Sequence, residues 1–206
     1  MGTRPDICFV VTKLSQYMSN PSKADFSLAK YVLRYLKGNL HYDLKFSKSD
    51  DELKVSGFCD SDWGSSSDRR SITGYCLQLY SKGSLISWKS KKQRIVALSS
   101  CEAEYVSLTC AIQEAKFLNQ LFTDMLGCNK QPIVLHADNQ GAIALSKNPV
   151  HHQRSKHIDI RYHYIRSEIQ SGHVELLYVP SEDNISDIFT KPVTKQKLCK
   201  FSFIRS

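Results

Sequence analysis

The fold is decided by residues 53–88, LKVSGFCDSDWGSSSDRRSITGYCLQLYSKGSLISW, in which apolar runs alternate with turn-forming residues. Runs of this kind, separated by glycine, serine and aspartate, are typical of β-strands joined by turns. The pattern predicts three strands, at residues 53–60, 73–80 and 84–88. Because consecutive strands joined by short turns pair antiparallel, we expect a three-stranded meander.

A long helix is predicted after the meander, from Ser99 to about Leu126, with Gly127 at its end. Apolar residues recur there at three- and four-residue spacing, which predicts a stripe that packs on the sheet. The stripe consists of Cys101, Tyr105, Leu108, Ile112, Ala115, Leu118, Phe122 and Met125.

The rest of the chain continues the alternation of strands and helices. The predicted elements are a strand at 133–137, helices at 140–146 and 155–170, a strand at 174–179 and a closing helix from residue 185. A strand–helix–strand succession requires parallel pairing. The order βββαβ(αα)βα therefore predicts an α/β fold with a mixed five-stranded sheet, three antiparallel strands followed by parallel strands, and flanking helices.

The N-terminal part reads differently. Residues 4–37 predict two helices separated by the Asn-Pro-Ser break at 20–22, which form a helical lead-in. The polar run SKSDDE at 47–52 separates this lead-in from the strands. We expect a domain boundary near residue 50.

Composition limits the classes of function. The 206 residues, 41% hydrophobic, allow one substantial core, and neither an apolar run of membrane-spanning length nor a signal peptide is evident. The sequence thus predicts no membrane association. The seven cysteines are scattered, which favours reduced thiols. The formal charge of +8 favours a polyanionic partner, although a merely basic protein explains the charge equally well.

Two acidic residues with close rivals are the first candidates for a metal site. Asp60 follows an apolar strand, but Asp62 would share its face of the strand, and either could cap the following turn. Glu104 borders the buried stripe, whereas Glu102 fits a capping box with Ser99.

Two more acids complete an Asp, Glu, Asp, Asp series. Asp138 follows the strand at 133–137, where α/β sheets place their sites, but a helix N-cap is the alternative role. Asp187 lies in the first turn of the closing helix, where the helix dipole alone favours an acid. Four carboxylates suit two Mg²⁺ ions, with Mn²⁺ as a substitute.

Basic and polar residues could contact a nucleic acid. A cluster follows Trp88 directly, and its alternative role is a solvated basic loop. The histidines at 151, 152, 157 and 163 lack partnered cysteines, so a basic surface is favoured over zinc. The predicted nucleic-acid-binding residues are Lys89, Lys91, Lys92, Arg94, Asn139, Arg154, Lys156 and His157.

Five motifs occur in order: CDSDW at 59–63, SWKSKKQRIVALSSCEAEYVSL at 87–108, HADNQGAIAL at 136–145, NPVHHQRSKHIDIRYHYIR at 148–166 and YVPSEDNISDIFTKP at 178–192. Together they resemble the ribonuclease H region of copia-type LTR retrotransposon Pol polyproteins. RPDICFVVTKLSQYMSNP and AKYVLRYLKGNL, within residues 4–40, are similar to the segment that connects the reverse transcriptase to the ribonuclease H.

The resemblance implies a ribonuclease H-like domain at 51–195, a connection segment at 1–50 and a tail at 196–206. It implies that Asp60 rather than Asp62, together with Glu104, Asp138 and Asp187, binds the metal ions. The implied reaction is hydrolysis of the RNA strand of RNA/DNA hybrids during reverse transcription by metal-activated water, leaving a 3′-hydroxyl and a 5′-phosphate. The implied partners are the hybrid and the reverse transcriptase portion, in a cytoplasmic particle or the nucleus.

The chain departs from the family pattern in two ways. Residues 180–186 contain no histidine where many ribonucleases H carry one, so we expect slow turnover. The paired aspartates of a polymerase palm are absent, so no DNA synthesis is expected from this chain alone. Two alternatives remain: a catalytically silent nucleic-acid-binding or polyprotein interaction module, and an integrase-like strand transferase with Glu175 in place of Glu104.

Overall fold

A computed structural model describes residues 2–46, 53–80, 84–127, 131–147, 156–200 and 204–205. The helices are α1 (Cys8–Ser15), α2 (Lys23–Gly38), α3 (Ser100–Leu126), α4 (Gln140–Lys147), α5 (Lys156–Gln170) and α6 (Lys195–Lys200), with 3₁₀ helices at Pro5–Ile7 and Ile185–Phe189. The strands are β1 (Asp43–Leu44), β2 (Val55–Asp62), β3 (Ile72–Leu79), β4 (Leu85–Lys92), β5 (Ile133–Ala137), β6 (Val174–Tyr178) and β7 (Ile204–Arg205).

The main sheet has five strands in the order β4-β3-β2-β5-β6. The pairs β2–β3 and β3–β4 are antiparallel, whereas β5 pairs parallel with both β2 and β6. The predicted mixed α/β sheet is therefore confirmed. Strands β1 and β7 form a separate antiparallel pair.

Several predicted ends of elements were wrong. Strand β2 continues to Asp62, paired with Ile72, so Asp60 lies inside the strand rather than at its end. Strand β4 continues to Lys92, so most of the basic cluster lies on a strand and not on a loop. The closing helix is instead the 3₁₀ helix Ile185–Phe189 followed by α6, because the intervening Pro192 cannot continue a helix.

Helix α3 packs against one face of the sheet. The Ser99 side chain accepts a hydrogen bond from the Glu102 amide, and Gly127 ends the helix at φ 64°. Its buried stripe joins the inner residues of β2, β3, β5 and β6 and helix α5 in one core. Met125, predicted in the stripe, is 69% exposed because the last turn of α3 extends past this core.

A second, smaller core covers the other face of the sheet. It joins Cys8 of α1 and Cys76 of β3 with Ile188 and Phe189 of the 3₁₀ helix. The Thr12 hydroxyl also donates to the backbone oxygen of Ser90, at 3.1 Å. The N-terminal helix therefore packs on the same sheet that carries the acids, while the boundary predicted near residue 50 lies outside the described residues.

Candidate active site

Asp60 is held deep in the centre of the sheet. Its side chain is buried, and the Thr190 hydroxyl donates a hydrogen bond to Oδ2. The buried Ser107 hydroxyl of α3 lies 2.7 Å from the backbone oxygen of Asp60 and ties strand to helix. The position and orientation of this carboxylate are therefore set by three separate elements.

Glu104 and Asp138 converge on Asp60. Each of the three residues offers a carboxylate oxygen, and these oxygens all lie within 4.8 Å of one another. Asp60 and Glu104 are buried, and Asp138 is half-buried after the end of β5. Three acids this close repel one another, because little water is available to screen their charges.

Burial and this repulsion raise the pKa values of the two buried acids. The pKa of Asp60 rises to about 7, chiefly through desolvation, although Lys191 and Thr190 oppose the shift. Desolvation and the charges of Asp60 and Asp138 also raise the pKa of Glu104 well above its usual range. A cation placed among the three oxygens would favour their ionised forms.

Glu104 offers a carboxylate oxygen that is available for such a cation. Glu104 Oε1 accepts a hydrogen bond from the Ser61 amide at 3.1 Å. Glu104 Oε2 is buried, and no donor among the described residues hydrogen-bonds to it. An unpaired buried carboxylate oxygen is costly, and a hard divalent cation takes oxygen ligands of this kind. The three residues therefore fit a divalent metal ion.

The alternative structural roles belong to neighbouring residues. Asp62 accepts hydrogen bonds from the Ile72 amide and the Ser65 hydroxyl, so it organises the turn after β2. Asn139, not Asp138, caps α4, since its Oδ1 accepts from the Ala142 amide at 2.9 Å. Asp138 accepts instead from the Ser181 hydroxyl at 2.5 Å.

Asp187 is buried in the 3₁₀ helix but is not among the three described acids that converge. The ammonium of Lys191 lies 2.8 Å from its Oδ1, and the ammonium of Lys197 ion-pairs with Oδ2. Lys191 also lies 3.9 Å from Asp60 Oδ2. Two lysines thus hold Asp187 beside the three-acid group.

Sequence reasoning missed Thr190, Lys191 and Lys197. The i,i+4 spacing of Asp187 and Lys191 was a visible signal for their pairing. Lys197 was not detectable in this way, because it reaches Asp187 from a separate helix. The same ammonium also donates to the backbone oxygen of Ser181, 2.7 Å away.

The predicted basic residues separate into distinct groups. Lys89 and Lys91 are exposed on the edge strand β4, and Arg94 is exposed just after it. Lys92 is engaged by Asp68, 2.9 Å away. Arg154 lies outside the described residues, as do His151 and His152; Lys156 and His157 belong to α5, but their side chains are not described.

Two other candidates of the sequence lie apart from the acids. His163 is exposed and lies 3.5 Å from Asp159 of its own helix. Glu175, the acid that an integrase-like site would use, is exposed on β6 and is not part of the three-acid group. Among the described residues, the glutamate that joins Asp60 and Asp138 is therefore Glu104 and not Glu175.

The fold is similar to that of solved ribonucleases H. LC11-RNase H1, solved in complex with an RNA/DNA hybrid, matches with a TM-score of 0.50 and 14% identity over 70% of this chain and 99% of that chain. The foamy viral protease-reverse transcriptase, solved with an RNA/DNA hybrid, matches with a TM-score of 0.51 and 15% identity over 85% and 21%. The fold is therefore ribonuclease H-like.

Sequence relatives define the family more closely. The chain is 41% identical over 201 residues to the retrovirus-related Pol polyprotein from transposon TNT 1-94 of Nicotiana tabacum, with 96% of the chain covered. It is 39% identical over 201 residues to that of transposon RE2 of Arabidopsis thaliana, with 97% covered. The chain belongs to the copia-type retrotransposon Pol polyproteins and has the ribonuclease H-like fold. It spans 15% and 14% of the lengths of these two relatives, respectively. No protein-family model matches the chain.

Proposed function

We propose that the chain is a retrotransposon ribonuclease H that hydrolyses the RNA strand of RNA/DNA hybrids during reverse transcription. The observation that carries the proposal is the buried oxygen Oε2 of Glu104. No donor among the described residues hydrogen-bonds to this oxygen. Glu104 also forms a group with Asp60 and Asp138, and the fold that carries the group is ribonuclease H-like. A purely structural role would leave this carboxylate uncompensated.

The proposed cofactor is a pair of Mg²⁺ ions, for which Mn²⁺ can substitute. Asp60, Glu104 and Asp138 would hold the ions, and Asp187 is the proposed fourth ligand. When bound, divalent cations supply the Lewis acidity that phosphodiester hydrolysis requires. The carboxylate chemistry fits these hard ions, which prefer oxygen to nitrogen or sulfur ligands.

The surrounding residues orient the acids for this task. Thr190 fixes Asp60, the Ser61 amide fixes Glu104, and Ser181 fixes Asp138. Ligands that are positioned by their own hydrogen bonds need little reorganisation when a cation enters. Lys191 partly offsets the negative charge of the site, since its ammonium lies near both Asp60 and Asp187.

Substrate binding is assigned to the exposed basic residues of the edge strand β4 and of the segment after it. The exposed Lys89, Lys91 and Arg94 are free to reach phosphates, whereas Lys92 must first leave Asp68. Asn139, Arg154, Lys156 and His157 remain proposed contacts. Phosphate and sugar contacts read the shape of a hybrid rather than its bases, so cleavage should show weak sequence preference.

The relatives suggest the setting of this activity. Because the chain matches only a small part of each Pol polyprotein, we propose that it works beside the reverse transcriptase portion of the same polyprotein. In that setting residues 51–195 are the ribonuclease H domain and residues 1–50 the connection to the polymerase. The proposed location is a cytoplasmic retrotransposon particle or the nucleus.

A substrate and metal panel tests the proposal. A labelled RNA strand is offered as an RNA/DNA hybrid and as a single strand, and double-stranded DNA serves as a further control. Each substrate is incubated with Mg²⁺, Mn²⁺ or EDTA. We expect hybrid-only cleavage with either metal and none with EDTA. Hybrid that is bound but never cut would identify a catalytically silent module instead.

A further inference from the structure

Three large apolar side chains are exposed on the two chain segments that adjoin Asp60 and Glu104 in sequence. Trp63 is 57% exposed, Val96 49% and Leu98 84%. Trp63 follows the end of β2, and Val96 and Leu98 belong to the segment between β4 and α3. We call these three residues the Trp63 platform. Exposed apolar side chains that lie together often mark a binding surface.

The platform is held in place by hydrogen bonds. The indole Nε1 of Trp63 donates to the backbone oxygen of Ala97 at 3.1 Å, so the ring lies against the same segment that carries the other two residues. The buried Gln93 side chain donates to Thr73 Oγ1 at 3.1 Å and to the Ala103 oxygen at 3.0 Å. Since the only polar atom of the indole is satisfied, its exposed surface is apolar.

The position of the platform relates it to the acids. Trp63 is three residues beyond Asp60, which corresponds to about 10 Å of extended chain. Glu104 lies in the first turns of α3, directly after the segment that holds Val96 and Leu98. Ser61, two residues before Trp63, donates its amide hydrogen to Glu104, so only a few residues of chain join the platform to two of the acids.

Strand register places exposed lysines on the same face. Ser61, Thr73 and Lys91 pair in one row across β2, β3 and β4, so their side chains share a face of the sheet. Lys89 is two residues from Lys91 and points to the same face. Trp63, two residues beyond Ser61, continues on that face, in agreement with its contact to Ala97.

An apolar platform on the face of the sheet that carries exposed lysines fits a ligand that is both anionic and partly apolar. A nucleic acid combines these properties, with phosphates for Lys89 and Lys91 and sugar and base edges for the platform. Aromatic side chains contribute in this way to nucleic-acid binding without reading sequence. The charge of the neighbouring residues therefore favours a nucleic acid over an uncharged apolar protein segment.

We propose that the Trp63 platform binds the sugar and base edges of the RNA/DNA hybrid within one or two nucleotides of the phosphate to be cleaved. This inference rests on the proposed function and adds a substrate-contacting surface to it. Trp63 is the central contact. Its contribution does not involve charge, so it is distinct from that of the lysines in its response to salt.

Binding of a fluorescently labelled hybrid in EDTA tests the platform without cleavage. Trp63→Ala should weaken binding roughly tenfold. It should leave the slope of log affinity against log salt unchanged, whereas Lys91→Gln should make that slope less steep by about 0.9. Trp63→Phe should retain most of the affinity. Thermal unfolding of each variant checks that it is folded.

Intrinsic fluorescence gives an independent measurement on a chain with its native platform. The two tryptophans are Trp63 and Trp88, and Trp88 packs against the second core on the opposite face. In a Trp88→Phe chain, all tryptophan emission comes from Trp63. We expect saturating hybrid to change this emission.

An unchanged emission, together with Trp63→Ala affinity within twofold of the native chain, would overturn the inference. In that case a protein segment, rather than the hybrid, would be the better candidate for the partner of the platform. The proposed nuclease fails separately: a native chain that binds the hybrid through Trp63 but cuts no RNA with Mg²⁺ or Mn²⁺ refutes the nuclease and supports the platform. A native chain that binds no hybrid overturns both.

Discussion

The ammonium of Lys191 lies 2.8 Å from Oδ1 of Asp187, and it lies 3.9 Å from Oδ2 of Asp60. A single lysine therefore bridges the acid of the 3₁₀ helix and the acid of the central strand. Nearby Asp60, Asp187 and Asp138 raise the pKa of the Lys191 ammonium, although desolvation opposes them. The lysine supplies positive charge at a place where a divalent cation would also be stabilised.

Removal of this charge should make the protein more dependent on metal. In EDTA, Lys191→Gln should lower the free energy of unfolding, because Asp60 and Asp187 lose the cation that reduces their mutual repulsion. The loss should be only about 1 kcal/mol, because the lysine is partly exposed to water. The stabilisation produced by Mg²⁺ should increase, since the metal relieves more repulsion. Thermal unfolding with EDTA and with Mg²⁺ measures both effects.

Lys195→Gln is the matched control, because Lys195 is exposed on the neighbouring helix and forms no ion pair with a described residue. This variant should have the native free energy of unfolding in EDTA and the native stabilisation by Mg²⁺. If Mg²⁺ stabilised Lys191→Gln no more than the native chain, the result would contradict the idea that Lys191 and the metal ion neutralise the same carboxylates.

Two glutamates that are two residues apart in α3, and so lie on different sides of the helix, should respond differently to the same substitution. Glu104→Gln should lower hybrid cleavage by at least about 100-fold, because an amide is a poor ligand for a hard cation. Glu102 accepts from the Leu98 amide at the start of α3, so Glu102→Gln should leave the rate nearly unchanged and cost at most about 1 kcal/mol of stability. Equal rates for the two variants would contradict the assignment of Glu104.

The metal-free protein should lose stability as the pH rises. Asp60 has a folded-state pKa of about 7 against an ordinary value of 3.8, so the folded state binds more protons between these values. Stability then falls as the pH rises from about 4 to 7 and levels off above that, by an amount on the order of a few kcal/mol.

Denaturant unfolding in EDTA at several pH values measures this effect. Because other groups titrate too, the useful quantity is the difference between the native chain and Asp60→Asn, which lacks the carboxyl. Asp124→Asn, at an exposed position of α3, is the control and should follow the native chain. With Mg²⁺ this difference should depend less on pH, since the metal ion favours the ionised carboxylate of Asp60. A pH-independent difference in EDTA would be inconsistent with a buried, protonated Asp60.

The glycine opposite the 3₁₀ helix should be intolerant of a side chain. A Cβ on Gly74 would lie 2.5 Å from Thr190 Cγ2 and 2.9 Å from Phe189 Cβ. Gly74→Ala should therefore displace the helix that carries Thr190 and Asp187, costing roughly 1–3 kcal/mol of stability and lowering cleavage. At Gly38, the last residue of α2, a Cβ would meet no atom within 4 Å, so Gly38→Ala should lower neither stability nor cleavage. Full activity in Gly74→Ala would show that this packing does not position the acids.

The sequence predicted which elements exist better than where they end. The apolar period located α3 and β5 well, because both are buried along most of their length. The polar end of β4 carries no such period, and only its pairing with β3 shows that Lys91 and Lys92 belong to a strand. Pairing between distant strands cannot be derived from local polarity.

The environment of the acids was also only partly predictable. Helix geometry assigned Glu102 to the cap, which agrees with the hydrogen bond from its amide to Ser99. The lysine from α6 that pairs with Asp187 depends on how the end of the chain folds back, and no local pattern shows it. Asp138 and its Ser181 partner are likewise brought together from 43 residues apart.

The most direct test of the central claim is cleavage of an RNA strand, labelled and paired with DNA, by the native chain and by Asp138→Asn in Mg²⁺. Asp138 is half-buried at the opening of the acid group, so this substitution should preserve the fold, which thermal unfolding verifies. We predict cleavage by the native chain that leaves 3′-hydroxyl and 5′-phosphate ends, and loss of cleavage in the variant while hybrid binding persists. Native-like cleavage by Asp138→Asn would contradict the claim that Asp60, Glu104 and Asp138 form the metal-binding active site.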